Sequence, residues 1–107
     1  MSLIAFEVAL DIVRHLREPL VVLARRDPSL ADQLRRAAAS VPLNVAEGRR
    51  RTGRDRLHHW RIAAGSADEL VAGLRVAEAW GHLAPEAIAP ALVAGDRLLG
   101  LLWGLTH

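Results

Sequence analysis

Five arginines lie within the eight positions of the stretch RRRTGRDR, residues 49–56. The guanidinium group presents a planar fork of N–H donors that matches the oxygens of a phosphate. Three further arginines flank this stretch, and together the eight form the candidate nucleic-acid-binding set: Arg35, Arg36, Arg49, Arg50, Arg51, Arg54, Arg56 and Arg61. The alternative interpretation is a solvated corner whose charges are balanced by loosely held counter-ions.

The charge of the chain is polarised, although the formal net charge is only +2. Residues 35–61 contain eight arginines against two carboxylates, Glu47 and Asp55, whereas the rest of the chain carries more acids than arginines. One region can therefore meet an anion while the whole chain stays nearly neutral. Binding through such a patch would be largely independent of base sequence and would weaken steeply with added salt.

A second group of polar residues recurs at helical spacing. Ser40, Asn44 and Glu47 step by four and three residues, which places them on one face of a helix. Ser66 and Glu69 form a matching pair further along the chain. We predict that these five residues make a hydrogen-bonded polar network inside the molecule. A catalytic pair of Glu47 and Glu69 is the weaker interpretation, because no nucleophile or metal ligand accompanies it.

No recognised catalytic, cofactor or metal-binding motif occurs in the sequence. Cysteine and lysine are both absent, and no Glu has a His three residues later, as helical di-iron sites require. His58 and His59 are adjacent, so on a helix their side chains point about 100° apart and cannot both ligate one metal. We therefore predict a non-enzymatic chain without a cofactor or metal.

Apolar residues repeat at three- and four-residue steps along most of the chain, which indicates amphipathic helices. We predict four helices over residues 2–26, 30–50, 53–80 and 85–105. The apolar face predicted for the first consists of Phe6, Leu10, Val13, Leu16, Leu20 and Leu23. Because the connections are short, successive helices should be antiparallel. The predicted fold is all-α, an antiparallel up-down-up-down four-helix bundle that forms a single domain over residues 1–107.

Prolines and polar residues mark the expected helix ends and irregularities. Pro19 predicts a kink or short break in the first helix, and Pro42 predicts a bend in the second. Ser29 with Asp32 resembles a capping box at the start of the second helix. Gly81 is expected to end the third helix.

The last helix is apolar almost all round near its end, in the stretch LLGLLWGL. A small bundle buries only one side of a helix, so we predict that Leu98, Leu101 and either Trp103 or Leu105 form a subunit interface. That stretch is shorter than the roughly 20 apolar residues that a membrane span needs, and the N-terminus lacks the features of a signal peptide. We therefore expect a soluble, cytoplasmic protein that does not contact a membrane.

Three segments carry a resemblance to a known family: QLRRAAASVPLNVAEG, RIAAGSADEL and AEAWGHL. Over residues 30–83 the chain resembles the bacterial four-helix-bundle family of the 23S rRNA intervening-sequence protein, which is related to the accessory variability protein of diversity-generating retroelements. The resemblance implies a closed, barrel-like homopentamer with a basic surface. For the retroelement branch it also implies binding to a reverse transcriptase and to nucleic acid.

Two functions of different classes follow. The first is a non-enzymatic, homo-oligomeric bundle that binds RNA, DNA or a nucleoprotein partner through the arginine-rich corner, as an accessory to a reverse transcriptase in the retroelement branch. The alternative is a protein-interaction scaffold or adaptor with no nucleic-acid role, in which the arginines only aid solubility.

Overall fold

The computed structural model describes residues 3–107, and four helices account for most of them. Their bounds are α1 Leu3–Arg26, α2 Pro28–Arg49, α3 Gly53–Ala79 and α4 Pro85–Thr106. No strand occurs within the described residues. The predicted start of the first helix at residue 2 lies outside them.

The four helices pack side by side around one core. α1 contacts α2 and α4, and α3 contacts the same two neighbours, so successive helices are adjacent and each pair of alternate helices lies across the bundle. The molecule measures 42 × 22 × 19 Å, and its long dimension matches a helix of α3's length at about 1.5 Å per residue. The predicted antiparallel four-helix bundle is confirmed.

The start of α2 is fixed by Asp27 rather than by Ser29. The Asp27 carboxylate Oδ1 accepts a hydrogen bond from the Leu30 N–H at 3.0 Å, and Pro28 occupies the first helical position, where its missing donor costs nothing. The predicted capping box at Ser29 and Asp32 is therefore wrong, because the helix already begins before Ser29.

The end of α3 follows the prediction. Gly81 adopts a φ of +79°, a left-handed conformation that side chains disfavour. Its N–H donates to the Glu78 carbonyl at 2.8 Å, and the His82 N–H donates to the Ala77 carbonyl at 2.9 Å. This paired bonding closes the last turn in the manner of a Schellman motif.

Both interior prolines in the first half of the chain lie inside unbroken helices. α1 continues through Pro19 and α2 continues through Pro42, so of the kink or short break predicted for α1 the break does not occur. Each proline removes one helical hydrogen bond, at a cost of about 3 kcal/mol in a helix interior. Because Pro19 and Pro42 are both buried, their packing in the core offsets that loss.

The core of α1 differs from the predicted face. Val13 is 37% exposed, and Phe6 and Leu10 are only half-buried. The buried residues of α1 are instead Ala5, Val8, Ala9, Ile12, Leu16, Pro19, Leu20 and Leu23. Alanine at the first positions brings the neighbouring helices close, so the buried stripe is rotated from the one that the large side chains suggest.

Candidate nucleic-acid interface

The arginine-rich corner joins the end of α2 to the start of α3 and consists of residues 49–56. Only Arg50, Arg51 and Thr52 separate the two helices, and Gly53 opens α3 with a φ of +58°. A left-handed conformation at this point is open to glycine at little cost, which permits the tight reversal. The corner therefore places five arginines around one end of the bundle.

Glu47 balances part of this charge. Its carboxylate accepts hydrogen bonds from Arg50 Nη2 at 2.6 Å and from Arg51 Nε at 2.9 Å. Arg51 also reaches Asp55 with its Nη1 at 2.9 Å. These bonds, Arg51's first and then Arg50's, hold the pKa of Glu47 below its usual value. Two of the five corner arginines are therefore engaged with carboxylates from the same corner.

Arg56 is committed to the fold. Its Nε donates to the Gly48 carbonyl at 3.1 Å, which also accepts the Arg51 N–H, and its Nη2 donates to the Arg49 carbonyl at 3.2 Å, so it bonds to two carbonyls at the end of α2. Its guanidinium also lies 5.4 Å from the ring centroid of Trp60, whose Nε1 donates to the Val45 carbonyl. Arg56 therefore has a structural role at the end of α2, and its service as a phosphate ligand stays a prediction.

Arg49, Arg54 and Arg61 have a different environment. All three are exposed, and among residues 3–107 no carboxylate lies within ion-pair distance of any of them. Thr52, at the N-cap position of α3, makes no side-chain bond to the first turn. Arg54 lies in the first turn of α3, so the positive end of the helix dipole adds to its field.

Arg35 and Arg36 lie away from the corner. They precede Arg49 by 14 and 13 residues on one continuous helix, hence by about 20 Å along its axis. Arg36 pairs with Asp32 at 3.4 Å. These two members of the candidate nucleic-acid-binding set are therefore separated from the arginine-rich corner, and their part in binding stays a prediction.

The predicted polar network forms in part. The Ser40 and Ser66 hydroxyls are hydrogen-bonded at 2.8 Å, and Asn44 Nδ2 donates to the Ser40 carbonyl and hydroxyl. His59, expected at the surface, joins this group through a 3.1 Å contact between its Nδ1 and the Asn44 Oδ1. Asn44 and His59 lie equally far from the α2–α3 turn, which is the sequence signal that would have paired them.

The two carboxylates predicted for that network lie outside it. Glu47 bonds to Arg50 and Arg51, because residues three and four positions away on a helix are its nearest neighbours. Glu69 is exposed and accepts a bond from Gln33 Nε2 at 3.2 Å. The prediction is corrected: three of the five residues, with His59, make the network.

The predicted interface residues of α4 separate in the structure. Leu98 is fully buried in the core of its own chain, so its assignment to an outer surface is wrong. Leu101 and Leu105 are half-buried, and Trp103 is 64% exposed. The buried residues of α4 are Ile88, Ala91, Gly95, Leu98 and Leu102.

By length and composition alone, α4 as a whole is apolar enough to cross a membrane, which the short stretch LLGLLWGL does not suggest. Its inner face nevertheless belongs to the bundle core, and Asp96 and Arg97 lie in its middle. The core helix of a soluble protein has the same properties. Among the described residues, no three His, Asp or Glu side chains are grouped to hold a metal ion.

These features define an all-helical bundle whose most distinctive chemical surface is an arginine-rich corner. The chain belongs to the family of the 23S rRNA-intervening sequence protein, whose model matches residues 2–103. It is also similar to a crystal structure of a protein of unknown function from the S23 ribosomal protein family of Bacteroides thetaiotaomicron. The two share 18% sequence identity with a TM-score of 0.84, over 95% of this chain and 97% of that one. That likeness shows the fold.

No curated protein sequence matches the chain. Neither the family description nor that of the similar structure names an enzymatic activity. The relation to the accessory variability proteins of retroelements, and with it a reverse transcriptase partner, stays a prediction.

Proposed function

We propose that this chain is a non-enzymatic, cytoplasmic RNA-binding bundle that contacts phosphate groups through Arg49, Arg54 and Arg61. The single observation that carries the proposal is the exposure of these three guanidinium groups without a carboxylate at ion-pair distance in residues 3–107. An arginine without an internal ion-pair partner offers its full charge and its fork of N–H donors to a phosphate.

Arg50 and Arg51 contribute in a second way. Both are exposed while bound to Glu47, so a phosphate competes with that carboxylate for their donors. Ion pairs at a solvated surface are worth little, and exchange of a carboxylate for a phosphate therefore costs little. RNA is the first ligand to test, because the family is described by an intervening sequence of 23S rRNA.

The test is an electrophoretic retardation assay with RNA at about 50 mM salt, where phosphate contacts are strongest. We expect the wild-type chain to retard RNA and the triple variant Arg49→Glu, Arg54→Glu, Arg61→Glu to lose retardation. A matched control reverses Arg17, Arg25 and Arg75, which are also exposed without an ion-pair partner in residues 3–107, and changes the net charge by the same amount. Equal loss in both variants would leave only non-specific attraction, and no retardation by the wild type would refute the proposal.

We also propose that the chain self-associates through the side of α4 that faces away from α3. Val93 is 71% exposed there, and it lines a groove between α1 and α4 whose apolar floor is bordered by four polar residues: Asp11, His15, Glu86 and Arg97. Leu101 follows Val93 on the same side of the helix and is half-buried. A second copy would cover the exposed Val93 side chain and pair with the polar residues around it, and in a ring the arginine-rich corner would be repeated on every subunit.

Light scattering of the purified protein tests this assembly. We expect a mass that is a multiple of 11.7 kDa, five chains if the ring predicted from the resemblance forms. Val93→Glu should reduce the mass without unfolding the chain, because the side chain is exposed in the single chain. A wild-type mass of one chain would contradict the assembly.

A further inference from the structure

Trp103 is an aromatic residue whose exposure to solvent is not accounted for by the role proposed for the arginine-rich corner. Its side chain is 64% exposed, and its indole stacks on the His107 imidazole with ring centroids 4.3 Å apart and planes inclined by 8°. The stacking on His107 covers part of the Trp103 indole and fixes its orientation, while most of the indole surface stays accessible to solvent. Trp60, in contrast, is buried and donates its N–H to the Val45 carbonyl.

Trp103 lies beside the α3 arginines. α3 and α4 touch closely at Gly95, where a Cβ would come within 2.9 Å of Val71 Cγ2. Because the helices are antiparallel, eight residues forward on α4 leads to Trp103 and eight residues back on α3 leads to Ala63, about 12 Å in each case. Trp103 is therefore within one helical turn of the level of Arg61.

The two side chains also share the outer side of this helix pair. Trp103 is turned about 80° around the α4 axis from Gly95, and Arg61 is turned about 80° around the α3 axis from Val71. Both are exposed, so both lie on the solvent side of the line where α3 meets α4. Arg54 is seven residues from Arg61 and occupies the same face of α3. We call Arg54, Arg61 and Trp103 the stacking face.

We propose that the stacking face binds single-stranded nucleic acid, with an unpaired base on the Trp103 indole and neighbouring phosphates on Arg54 and Arg61. This inference rests on the proposed function and narrows its ligand. Every base has a π-face that stacks on an aromatic ring, so such a site accepts any base sequence. In a duplex the bases are already stacked on one another and cannot reach the indole, whereas the phosphates remain available.

Two arginines on one helix face, about 10 Å apart along the axis, suit a backbone that runs along α3 while a base turns towards α4. His58 occupies an exposed position between them and adds a second ring near the path. Cations that hold the phosphates beside an aromatic ring that stacks on a base are the general arrangement by which proteins bind single strands. The site therefore has both of the contacts that a single strand requires.

Fluorescence anisotropy tests the inference with one mixed-sequence RNA, labelled at one end, as a single strand and as its duplex. The wild-type chain should bind the single strand more tightly than the duplex. Trp103→Ala should weaken single-strand binding by about tenfold, the typical effect of losing one stacked base, and leave duplex binding almost unchanged. Trp103→Phe should restore part of the loss, because the phenyl ring still stacks.

Trp80→Ala is the matched control. Trp80 is similarly exposed, at 72%, and lies at the opposite end of the bundle. Its loss should therefore change neither the affinity for the single strand nor the affinity for the duplex. Thermal unfolding of each variant shows whether the fold is kept, which we expect because both side chains are exposed.

The outcomes separate this inference from the proposed function. If the wild type binds neither RNA, the proposed function fails. If it binds strand and duplex equally, or if Trp103→Ala weakens both equally, the arginine contacts stand and the stacking role is overturned. A fall in molecular mass on Trp103→Ala, with unchanged relative preference for the strand, would show that the indole serves a contact between copies of the chain instead.

Discussion

The arginines of the corner differ in what their side chains already do. Arg56 holds two carbonyls at the end of α2, Arg50 and Arg51 share Glu47, and Arg49 and Arg54 are free of ion-pair partners in residues 3–107. Residue type and spacing predicted the cluster but not this division. The partner of each arginine depends on which carboxylates and carbonyls lie within reach once α2 and α3 are packed, and the sequence alone does not show these distances.

The polar network also shows how far the partner of a single residue can be predicted from the sequence. Spacing placed Ser40 and Asn44 on the correct face, and Ser66 was correctly paired with them. Glu47 shares that spacing yet bonds within its own helix, because two arginines lie three and four residues further on. An ion pair between residues three or four positions apart on one helix forms without the entropy cost of ordering a side chain so that it reaches the neighbouring helix.

Glu47 limits the positive charge of the corner, which gives a prediction for binding. Glu47→Gln removes one negative charge and releases Arg50 and Arg51, so RNA affinity at low salt should rise by roughly fivefold. Fluorescence anisotropy measures the change. Asp32→Asn is the control, because it releases Arg36 about 20 Å from the corner. An affinity that falls with Glu47→Gln would contradict the role given to the released arginines.

Arg56 should be needed for stability rather than for binding. Arg56→Ala removes two hydrogen bonds to carbonyls and the contact with Trp60, so the free energy of unfolding should fall by about 1–3 kcal/mol. Urea denaturation measures it. Arg54→Ala, two residues earlier and free of such bonds, should change stability by less than about 0.5 kcal/mol. Equal stability of the two variants would show that the Arg56 bonds contribute nothing.

At the scale of the helices, the sequence predicted how many there are and how they connect. Apolar periodicity and the signal at Gly81 located the elements, because they depend on local backbone chemistry. The buried faces of α1 and α4 were less well predicted. In both helices small residues such as Ala5, Ala9 and Gly95 lie in the core, while larger residues such as Val13 and Trp103 face solvent.

This difference has a physical reason. Helices can approach closely only where side chains are small, and the closest contacts therefore involve glycine and alanine rather than the largest apolar residues. A prediction that ranks residues by size and hydrophobicity alone therefore underestimates how often glycine and alanine are buried at helix contacts. Glycines show it directly: a Cβ on Gly73 would overlap the Leu34 side chain.

Gly48 provides a test of close packing between α2 and α3. A Cβ there would lie 2.6 Å from Trp60 Cδ1 and Nε1 and 3.1 Å from the Arg56 carbonyl. Gly48→Ala should therefore lower the free energy of unfolding by about 1–3 kcal/mol, as overpacking does in other cores. The measurement is urea denaturation.

Gly65→Ala is the matched control in the exposed middle of α3, where nothing lies within 4 Å of the added Cβ. Alanine is the better helix former, so this change should raise the free energy of unfolding by about 0.5–1 kcal/mol. If both substitutions were stabilising, the contact between Gly48 and Trp60 would not constrain the helices.

At the scale of the whole molecule, the two ends of the bundle differ in chemistry. The α2–α3 turn brings the arginine-rich corner to one end, and the C-terminal turn of α4 brings Trp103 to the same end. The opposite end carries the α1–α2 and α3–α4 connections, with Asp27 near His82. A bundle with its cations and an exposed aromatic ring at one end can contact a polyanion there while its sides remain available for self-association.

The salt dependence of RNA binding tests the central claim most directly. With three free arginines on the phosphates of a single strand, the logarithm of the association constant should fall with the logarithm of salt concentration with a slope of about −2 or steeper. The variant Arg49→Ala, Arg54→Ala, Arg61→Ala should make the slope shallower by about 2, leaving only the contribution of Arg50 and Arg51. A slope near zero in the wild type, or the same slope in the wild type and this variant, would contradict the account.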